Sequence, residues 1–343
     1  MTITQPHTVT NDLLLDVRNL QIRVTSAWDT DATVIDGVSL QLRKGDSVGL
    51  VGESGSGKTM LGLSLLQLLP PAAQITGGTI ELSGQTLIGL SENQLCAVRG
   101  RQIAMVFQDP MTGLNPLRRV GSLLTDAARR AGANKREAHC RAIESMQASG
   151  IPKPEERLRA YPHQLSGGLR QRVMIALALI NKPSIIVADE PTTALDATIQ
   201  AQILDLLRTI SEERAIILIT HDLGVVAEVC DRIIVMYAGH VMEQGLTAEV
   251  LDNPQHPYTQ GLISCRPRIG PRTKERLRPI RGMPPRLGEI PSGCVFCPRC
   301  PRVQDGCGKR PPLGERDSHL VACWFPGAGV THAAREGWAD GMS

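Results

Sequence analysis

The stretch that decides the fold is Gly52-Glu53-Ser54-Gly55-Ser56-Gly57-Lys58-Thr59. It runs from a short apolar strand, Ser47–Val51, into a helical pattern, and its spacing is that of a phosphate-binding loop. Backbone N–H groups of such a loop, together with the N-terminus of the helix, surround phosphate oxygens. Lys58 is predicted to reach the β- and γ-phosphates, and Thr59 to ligate Mg²⁺. The stretch therefore predicts a site for a nucleotide with its magnesium ion.

Further continuous apolar runs predict strands that are buried on both faces, as in a parallel sheet: Ile103–Phe107, Ile185–Ala188, Ala215–Thr220 and Ile233–Tyr237. Helical patterns lie between these runs, so βαβ units are the economical assembly. An α/β fold of the P-loop NTPase class is therefore expected.

The composition fits one large domain with an appendage, since the chain has 343 residues, 42% of them hydrophobic. A net charge of +3 is too small to indicate nucleic-acid binding by itself. Met1–Asn11 is polar and does not resemble a signal peptide, and no apolar run reaches the roughly 18 residues of a membrane span. We expect the protein to stay in the cytoplasm and to meet any membrane through partners.

Two adjacent carboxylates follow the apolar run that begins at Ile185. Asp189 has the position of a carboxylate that supports Mg²⁺ beside a phosphate-binding loop. Glu190 comes directly after it, where a buried carboxylate could polarise the attacking water, so Glu190 is the predicted general base. The alternative is that Glu190 only caps the turn before Pro191.

The segment Leu165–Leu169, which reads LSGGL, opens another helical pattern. Ser166 and Gly168 would expose a hydroxyl and backbone N–H groups at a helix N-terminus, where anions bind. In isolation this segment is more simply a helix cap. About 20 residues before the Asp189 strand, however, it resembles the signature of the ABC ATPases, which usually ends in Gln where this chain has Leu169.

The resemblance assigns roles to three more residues. Gln108, in Phe107–Pro110, matches the glutamine that senses Mg²⁺ and the attacking water and that links the catalytic core to a helical insertion. Asp196 matches the acidic residue of the family's D-loop. His221 matches the histidine that contacts the γ-phosphate. With Glu190, Gln108 and His221 form the predicted catalytic set, and Gln108 joins Thr59 as a predicted magnesium ligand.

In this family the phosphate loop of one subunit faces the signature of another, with ATP between them. The resemblance therefore implies a second ATPase subunit whose nucleotide is held by Ser166 and Gly168 of this chain. That subunit is either a copy of this chain or a related chain, and a heterodimer is the favoured case. The family also stacks an aromatic residue on adenine at the position of Val24. The nearby Trp28 is the candidate substitute, and local packing of this loop aromatic is the alternative.

Three further segments resemble the ATPases of dipeptide, oligopeptide and nickel importers: Tyr161–Gln164, His256–Gln260 and Gly293–Cys307. This resemblance implies uptake of peptides or a related small solute through two integral membrane permease subunits, served indirectly by an extracytoplasmic binding protein. The ATPase would lie on the cytoplasmic face of the inner membrane. The alternatives are a soluble ABC ATPase that acts on nucleic acid or ribosomes, with the basic stretch 266–286 as its contact, and an inactive regulatory subunit. The intact catalytic residues argue against the second.

Five of the nine cysteines lie within 30 residues of one another, which in a cytosolic chain favours a metal or cluster site over disulfides. The spacing of Cys294, Cys300, Cys307 and Cys323 resembles the family's four-cysteine tail, which implies a [4Fe–4S] cluster. Cys297 is an additional cysteine and a possible substitute for Cys294. Zinc and unliganded thiols stay open as alternatives.

The pattern along the chain divides it into three parts. Residues 12–252 form the expected ABC ATPase domain, with a RecA-like core, an antiparallel β subdomain and an inserted helical subdomain at about 91–180. Residues 253–326 form the expected C-terminal extension with the cysteine cluster. Residues 327–343 are expected to be a flexible tail.

Overall fold

The computed structural model describes residues 12–25, 31–193, 195–265, 279–316 and 318–327. The predicted adenine-stacking residue Trp28, most of the basic stretch 266–286 and nearly all of the predicted tail 327–343 lie outside these ranges.

The described strands form two sheets, one with four strands and one with eight. They are β1 (Leu13–Thr25), β2 (Asp31–Arg43), β3 (Ser47–Val51), β4 (Ala73–Leu82), β5 (Gln85–Thr86), β6 (Ile103–Val106), β7 (Ile185–Asp189), β8 (Ala215–Thr220), β9 (Arg232–Tyr237), β10 (His240–Leu246), β11 (Gly314–Arg316) and β12 (His319–Val321).

The helices connect these strands and cover the larger sheet. They are α1 (Lys58–Leu65), α2 (Glu92–Val98), α3 (Pro110–Gly113), α4 (Val120–Arg130), α5 (Lys135–Ala148), α6 (Pro154–Arg157), α7 (Gly167–Leu179), α8 (Ala197–Ser211), α9 (Leu223–Val229), α10 (Thr247–Asp252) and α11 (Pro257–Ser264). Helices α3 to α7 form the insertion between β6 and β7.

The larger sheet has the order β11-β12-β10-β9-β3-β8-β7-β6, and its strands from β9 to β6 are parallel. Each of these parallel strands coincides within a residue or two with an apolar run in the sequence, because both faces of the sheet are covered. The smaller sheet, β2-β1-β4-β5, is antiparallel. The expected α/β P-loop fold is confirmed.

Two apolar cores lie on opposite faces of the larger sheet. Successive residues of a strand point to opposite faces, so Ile216 belongs to one core and Ile217 to the other. The first core contains side chains of the inserted helices, such as Leu124 and Met146. The second lies beneath the smaller sheet, from which Leu15 and Ile22 enter it. The larger sheet is thus the rigid base on which the loops at its edge are mounted.

The cysteine-rich segment is part of this body. β12 pairs with β10, and β11 pairs with β12, so the chain after residue 313 extends the larger sheet. Tyr258, Val295 and Phe296 are buried in the first core. A segment this short has little core of its own. Packing against the larger sheet and the first core therefore holds this segment in place.

Candidate active site

The predicted catalytic residues meet at one edge of the larger sheet. Its neighbouring parallel strands β3, β8, β7 and β6 all end at this edge. Gly52 follows β3 and His221 follows β8, while Asp189 is the last residue of β7 and Gln108 lies two residues after β6. The carboxyl ends of adjacent parallel strands form the crevice where ligands bind in open α/β sheets. Four separate sequence motifs are therefore brought into one site.

The phosphate loop closes on the amino group of Lys58. Lys58 Nζ donates to the carbonyl oxygens of Gly52 at 2.8 Å and Glu53 at 2.9 Å, and to Ser56 Oγ at 3.2 Å. Gly57 precedes α1 with a φ of +99°, and a Cβ there would lie 2.6 Å from Ile35 Cδ1. Only glycine combines that conformation with so close a neighbour.

The residue Lys58 is 6% exposed, and carboxylates lie near its charge. Burial lowers the pKa of Lys58, whereas the carboxylates of Glu190, Asp189 and Glu53 oppose that shift. A buried cation held by weak carbonyl acceptors can exchange them for phosphate oxygens, which are stronger acceptors.

Thr59 and Asp189 offer a magnesium site beside the loop. Thr59 Oγ1 donates to Asp189 Oδ1 at 3.3 Å, which brings together a hydroxyl and a carboxylate from different motifs. Asp189 is 3% exposed, and burial raises the pKa of its carboxyl group. Hard oxygen donors that leave room for waters and phosphate oxygens suit Mg²⁺. The residues present therefore fit this ion.

Glu190 is held in place by three side chains. His221 Nδ1 lies 2.9 Å from Glu190 Oε1, while Thr193 Oγ1 and Gln108 Nε2 donate to Oε2 at 2.7 and 3.3 Å. Its φ is +44°, a conformation uncommon outside glycine, and its N–H donates to the Ile219 carbonyl at 2.8 Å.

The same contacts set the ionisation of Glu190. Burial opposes the charge, but hydrogen bonds with His221 and Thr193 outweigh it and hold the pKa of this carboxyl below its ordinary value. The carboxylate is therefore ionised at neutral pH and able to accept a proton. The sequence offered no reason to single out Thr193, since a hydroxyl three residues beyond a carboxylate is common in turns.

The signature residues lie at the start of α7. Ser166 caps the helix and accepts a long hydrogen bond from the Leu169 N–H at 3.4 Å. Gly168 packs against α8, where a Cβ would lie 2.6 Å from Ile199 Cγ2. Asp196 caps α8 by accepting from the Ile199 N–H at 3.0 Å. These residues surround the facing ends of two helices, while Lys58 and its neighbours occupy the sheet edge.

The adenine-binding prediction concerns Val24 and Trp28. Val24, near the end of β1, is half-buried against the second core. Trp28 lies outside the described residues.

All five clustered cysteines line one small cavity: Cys294, Cys297, Cys300, Cys307 and Cys323. The cavity is about 10 Å³, roughly the room of one water molecule, and Phe296 and His256 contribute to its wall. Burial raises the pKa of Cys294 to about 11, with smaller upward shifts at Cys300 and Cys323. A bound metal would displace these protons. Thiol donors of this kind have the chemistry of iron–sulfur ligands.

Among the described residues, no group of three or more His, Cys, Asp or Glu side chains is arranged to hold a single metal ion.

Comparison with known proteins decides the family. Residues 35–193 match the model described as ABC transporter, and residues 242–307 match the model described as Oligopeptide/dipeptide transporter, C-terminal region. The dipeptide transport ATP-binding protein DppD of Bacillus subtilis is 46% identical over 94% of this chain and 98% of the relative. The chain belongs to the ABC transporter ATPases. The oligopeptide transport ATP-binding protein OppD of Salmonella typhimurium, at 44% identity over 92% of this chain and 94% of that protein, agrees.

Solved ABC cassettes share the fold. A dimeric cassette in a post-hydrolysis state with ADP and phosphate superposes with a TM-score of 0.60 at 28% identity, over 68% of this chain and 99% of that one. The cassette cbiO1 of Clostridium perfringens gives 0.61 at 27% identity, over 70% and 91%. Within the described ranges of this ABC ATPase, the helices are all too short or too polar to cross a bilayer.

Proposed function

We propose that this ABC ATPase powers the uptake of dipeptides, oligopeptides or a related small solute through separate permease subunits. One observation carries the proposal: residues 242–307 match the C-terminal region of oligopeptide and dipeptide transporters. The names of the similar proteins DppD and OppD point the same way. The core cassette alone would support only the coarser statement that ATP is hydrolysed for transport.

Within the site, each residue has a proposed role that its contacts support. Lys58 leaves the loop carbonyls and neutralises the β- and γ-phosphates. Thr59 and Gln108 would ligate Mg²⁺ with the support of Asp189, and the bound ion would neutralise charge on the phosphates. Glu190 accepts a proton from the attacking water, Gln108 orients that water, and His221 holds the Glu190 carboxylate and reaches the γ-phosphate. Of these, the ionised and triply hydrogen-bonded Glu190 is the best supported.

The nucleotide site is proposed to be completed by a second ATPase subunit. Ser166 and Gly168 lie at a helix N-terminus, which favours an anion. These residues would then hold the γ-phosphate of the partner's ATP. Asp196, at the N-cap of the facing helix α8, would contact the partner subunit. A heterodimer with a related chain is the proposed assembly.

The complete transporter would add two integral permease subunits and, outside the membrane, a solute-binding protein. The ATPase would then be a peripheral protein of the cytoplasmic face of the inner membrane. Affinity purification of the tagged full-length chain from detergent-solubilised native membranes tests this. Integral permease subunits in stoichiometric amount support the proposal, whereas recovery with RNA or ribosomes instead would support the nucleic-acid alternative.

The cysteine cavity is proposed to hold an iron–sulfur cluster through Cys294, Cys300, Cys307 and Cys323. The convergence of the clustered thiols on one cavity supports this. Metal and sulfide analysis of anaerobically purified protein tests it, since iron with equimolar sulfide is expected and zinc alone would contradict it. Cys307→Ser should abolish iron binding, while Cys96→Ser, on the exposed face of α2, should not. Loss of iron in Cys297→Ser but not in Cys294→Ser would show that Cys297, rather than Cys294, is the ligand.

The division of the chain into an ATPase domain at 12–252, with its helical subdomain at about 91–180, and an extension at 253–326 is also a proposal. The position of α3 to α7 between β6 and β7 supports the helical subdomain. The pairing of β12 with β10 supports an extension that adds to the ATPase body.

A further inference from the structure

A residue of the cysteine-rich segment reaches into the phosphate loop. Arg299 lies between Cys297 and Cys300, and its guanidinium binds both carboxylate oxygens of Glu53: Nη1 to Oε2 at 2.5 Å and Nη2 to Oε1 at 3.0 Å. The Arg299 side chain is 6% exposed and that of Glu53 is 26% exposed. Two-point pairing of this kind fixes the geometry of both groups and is stronger than a neutral hydrogen bond.

A second contact from the C-terminal region holds the backbone of the same residue. Tyr258, on α11, is fully buried, and its hydroxyl accepts from the Glu53 N–H at 2.8 Å. The carbonyl of Glu53 accepts from Lys58 Nζ at 2.9 Å. The carboxylate and the N–H of Glu53 are thus bound by residues beyond 255, and its carbonyl oxygen is bound by the lysine of the phosphate loop.

The residues that hold Glu53 are themselves firmly mounted. Arg299 lies over the ring of Tyr237 at 5.6 Å and donates to its hydroxyl at 3.2 Å. Tyr237, Tyr258 and Phe296 pack against one another with ring centroids 4.7 to 5.3 Å apart. Because Tyr237 ends β9, which is paired with β3, this aromatic cluster is anchored beside the strand that leads into the phosphate loop.

We propose that Arg299 and Tyr258 are positioning residues for ATP binding, through which the C-terminal region shapes the phosphate loop of its own chain. Tyr258 fixes the peptide before Glu53, and Arg299 fixes and neutralises the carboxylate. The neutralisation matters because Glu53 places a negative charge on a loop that must receive a triphosphate. Without Arg299, that unpaired carboxylate repels the phosphates and competes for Lys58.

This mechanism separates a positioning role from a merely structural one. If Arg299 acts by neutralising Glu53, its removal should matter little once Glu53 has no charge. If Arg299 only anchors the cysteine-rich segment, its removal should have the same effect whether residue 53 is Glu or Gln. The charge-free background Glu53→Gln therefore distinguishes the two roles.

The experiment titrates purified full-length protein with a fluorescent ATP analogue and Mg²⁺ and compares dissociation constants across variants. We expect Arg299→Ala to raise Kd at least about fivefold, the low end of usual coupling between sites. In the Glu53→Gln background the same change should alter Kd by no more than about twofold, the limit within which independent effects add. Arg299→Lys keeps the charge without the two-point geometry, so its Kd should lie between those of wild type and Arg299→Ala.

Arg310→Ala is the matched control, because Arg310 also pairs an acid of the ATPase body, Asp36, from the C-terminal region. Its Kd should equal that of wild type. An unchanged Kd in Arg299→Ala, or an equal rise in both backgrounds, would overturn the proposal. If Arg299→Ala does not fold, Tyr258→Phe replaces it, since it removes only the hydroxyl that accepts from Glu53 N–H. An unchanged Kd in that variant would overturn the proposal equally.

Discussion

Replacing Glu190 by Gln tests the assigned chemistry most sharply. The change keeps the shape of the side chain, and the amide oxygen can still accept from Thr193. The amide cannot accept a proton from water. It also removes the charge that pairs with His221, 2.9 Å away. Binding of ATP should persist or strengthen, because one negative charge near Lys58 and the phosphates is lost.

The expected loss follows from the role of a general base. Proton transfer to a positioned side chain contributes roughly 10²- to 10⁴-fold to a rate. Turnover of the Glu190→Gln variant should fall by that factor, which corresponds to about 3 to 5 kcal/mol in the activation free energy. Since the wild-type pKa of Glu190 is held below its ordinary value, protonation of this base should not limit turnover between about pH 6 and 8.

The assay measures phosphate release by the assembled ATPase at saturating ATP, beside a nucleotide titration of the same preparation. Glu213→Gln is the matched control, because Glu213 is an exposed glutamate after α8 whose partner is Arg214. Turnover close to wild type in the Glu190 variant would remove this residue from the general-base role. Loss of both binding and turnover would point to misfolding of the site instead.

Three further outcomes are expected. Lys58→Ala loses charge-assisted hydrogen bonds worth about 1.5–3 kcal/mol, so a nucleotide titration should show Kd for ATP rising about 10- to 150-fold; an unchanged Kd would contradict the role of Lys58. Gly52→Ala places a Cβ 2.1 Å from the Met236 carbonyl oxygen at a φ of +154°, and urea unfolding should show the free energy of unfolding reduced by about 1–3 kcal/mol. The control is Gly314→Ala, whose Cβ would meet nothing within 4 Å and which should reduce that free energy far less. Burial lowers the pKa of His240 below its unfolded value of about 6.5, so the neutral imidazole contributes stability above that pH, and this contribution is lost as the pH falls. The free energy of unfolding should therefore differ less between pH 7.5 and pH 5.5 in His240→Asn than in the wild type. An equal difference in the two proteins would contradict this role of His240.

The sequence predicted those parts of the fold in which a fully buried strand is followed directly by a loop of functional residues. Strands β3, β7 and β8 are buried on both faces, so their apolar runs stand out against the polar loops that follow. Because parallel strands present their carboxyl ends at one edge, it follows that Lys58, Glu190 and His221 come together. The cavity that the clustered cysteines share also follows from their closeness in the chain.

Contacts between distant segments could not be read in the same way. Arg299 and Glu53 are 246 residues apart in the sequence. Neither an arginine between cysteines nor a glutamate in a phosphate loop indicates which residue it will contact. The sequence does not predict the pairing of β12 with β10 either, since β12 has only three residues. Strands of two or three residues carry too little periodicity to be distinguished from loop. What joins the extension to the ATPase body is therefore a property of the fold rather than of any motif.

The most direct test of the whole account is the initial rate of radiolabelled dipeptide uptake by cells of the source organism that lack this chain. We predict that uptake falls, that the wild-type chain restores it, and that Glu190→Gln, expressed to the same level, does not. Uptake that is unaffected by loss of the chain, or that is restored equally by the Glu190 variant, would contradict the claim that ATP hydrolysis at this site drives peptide import.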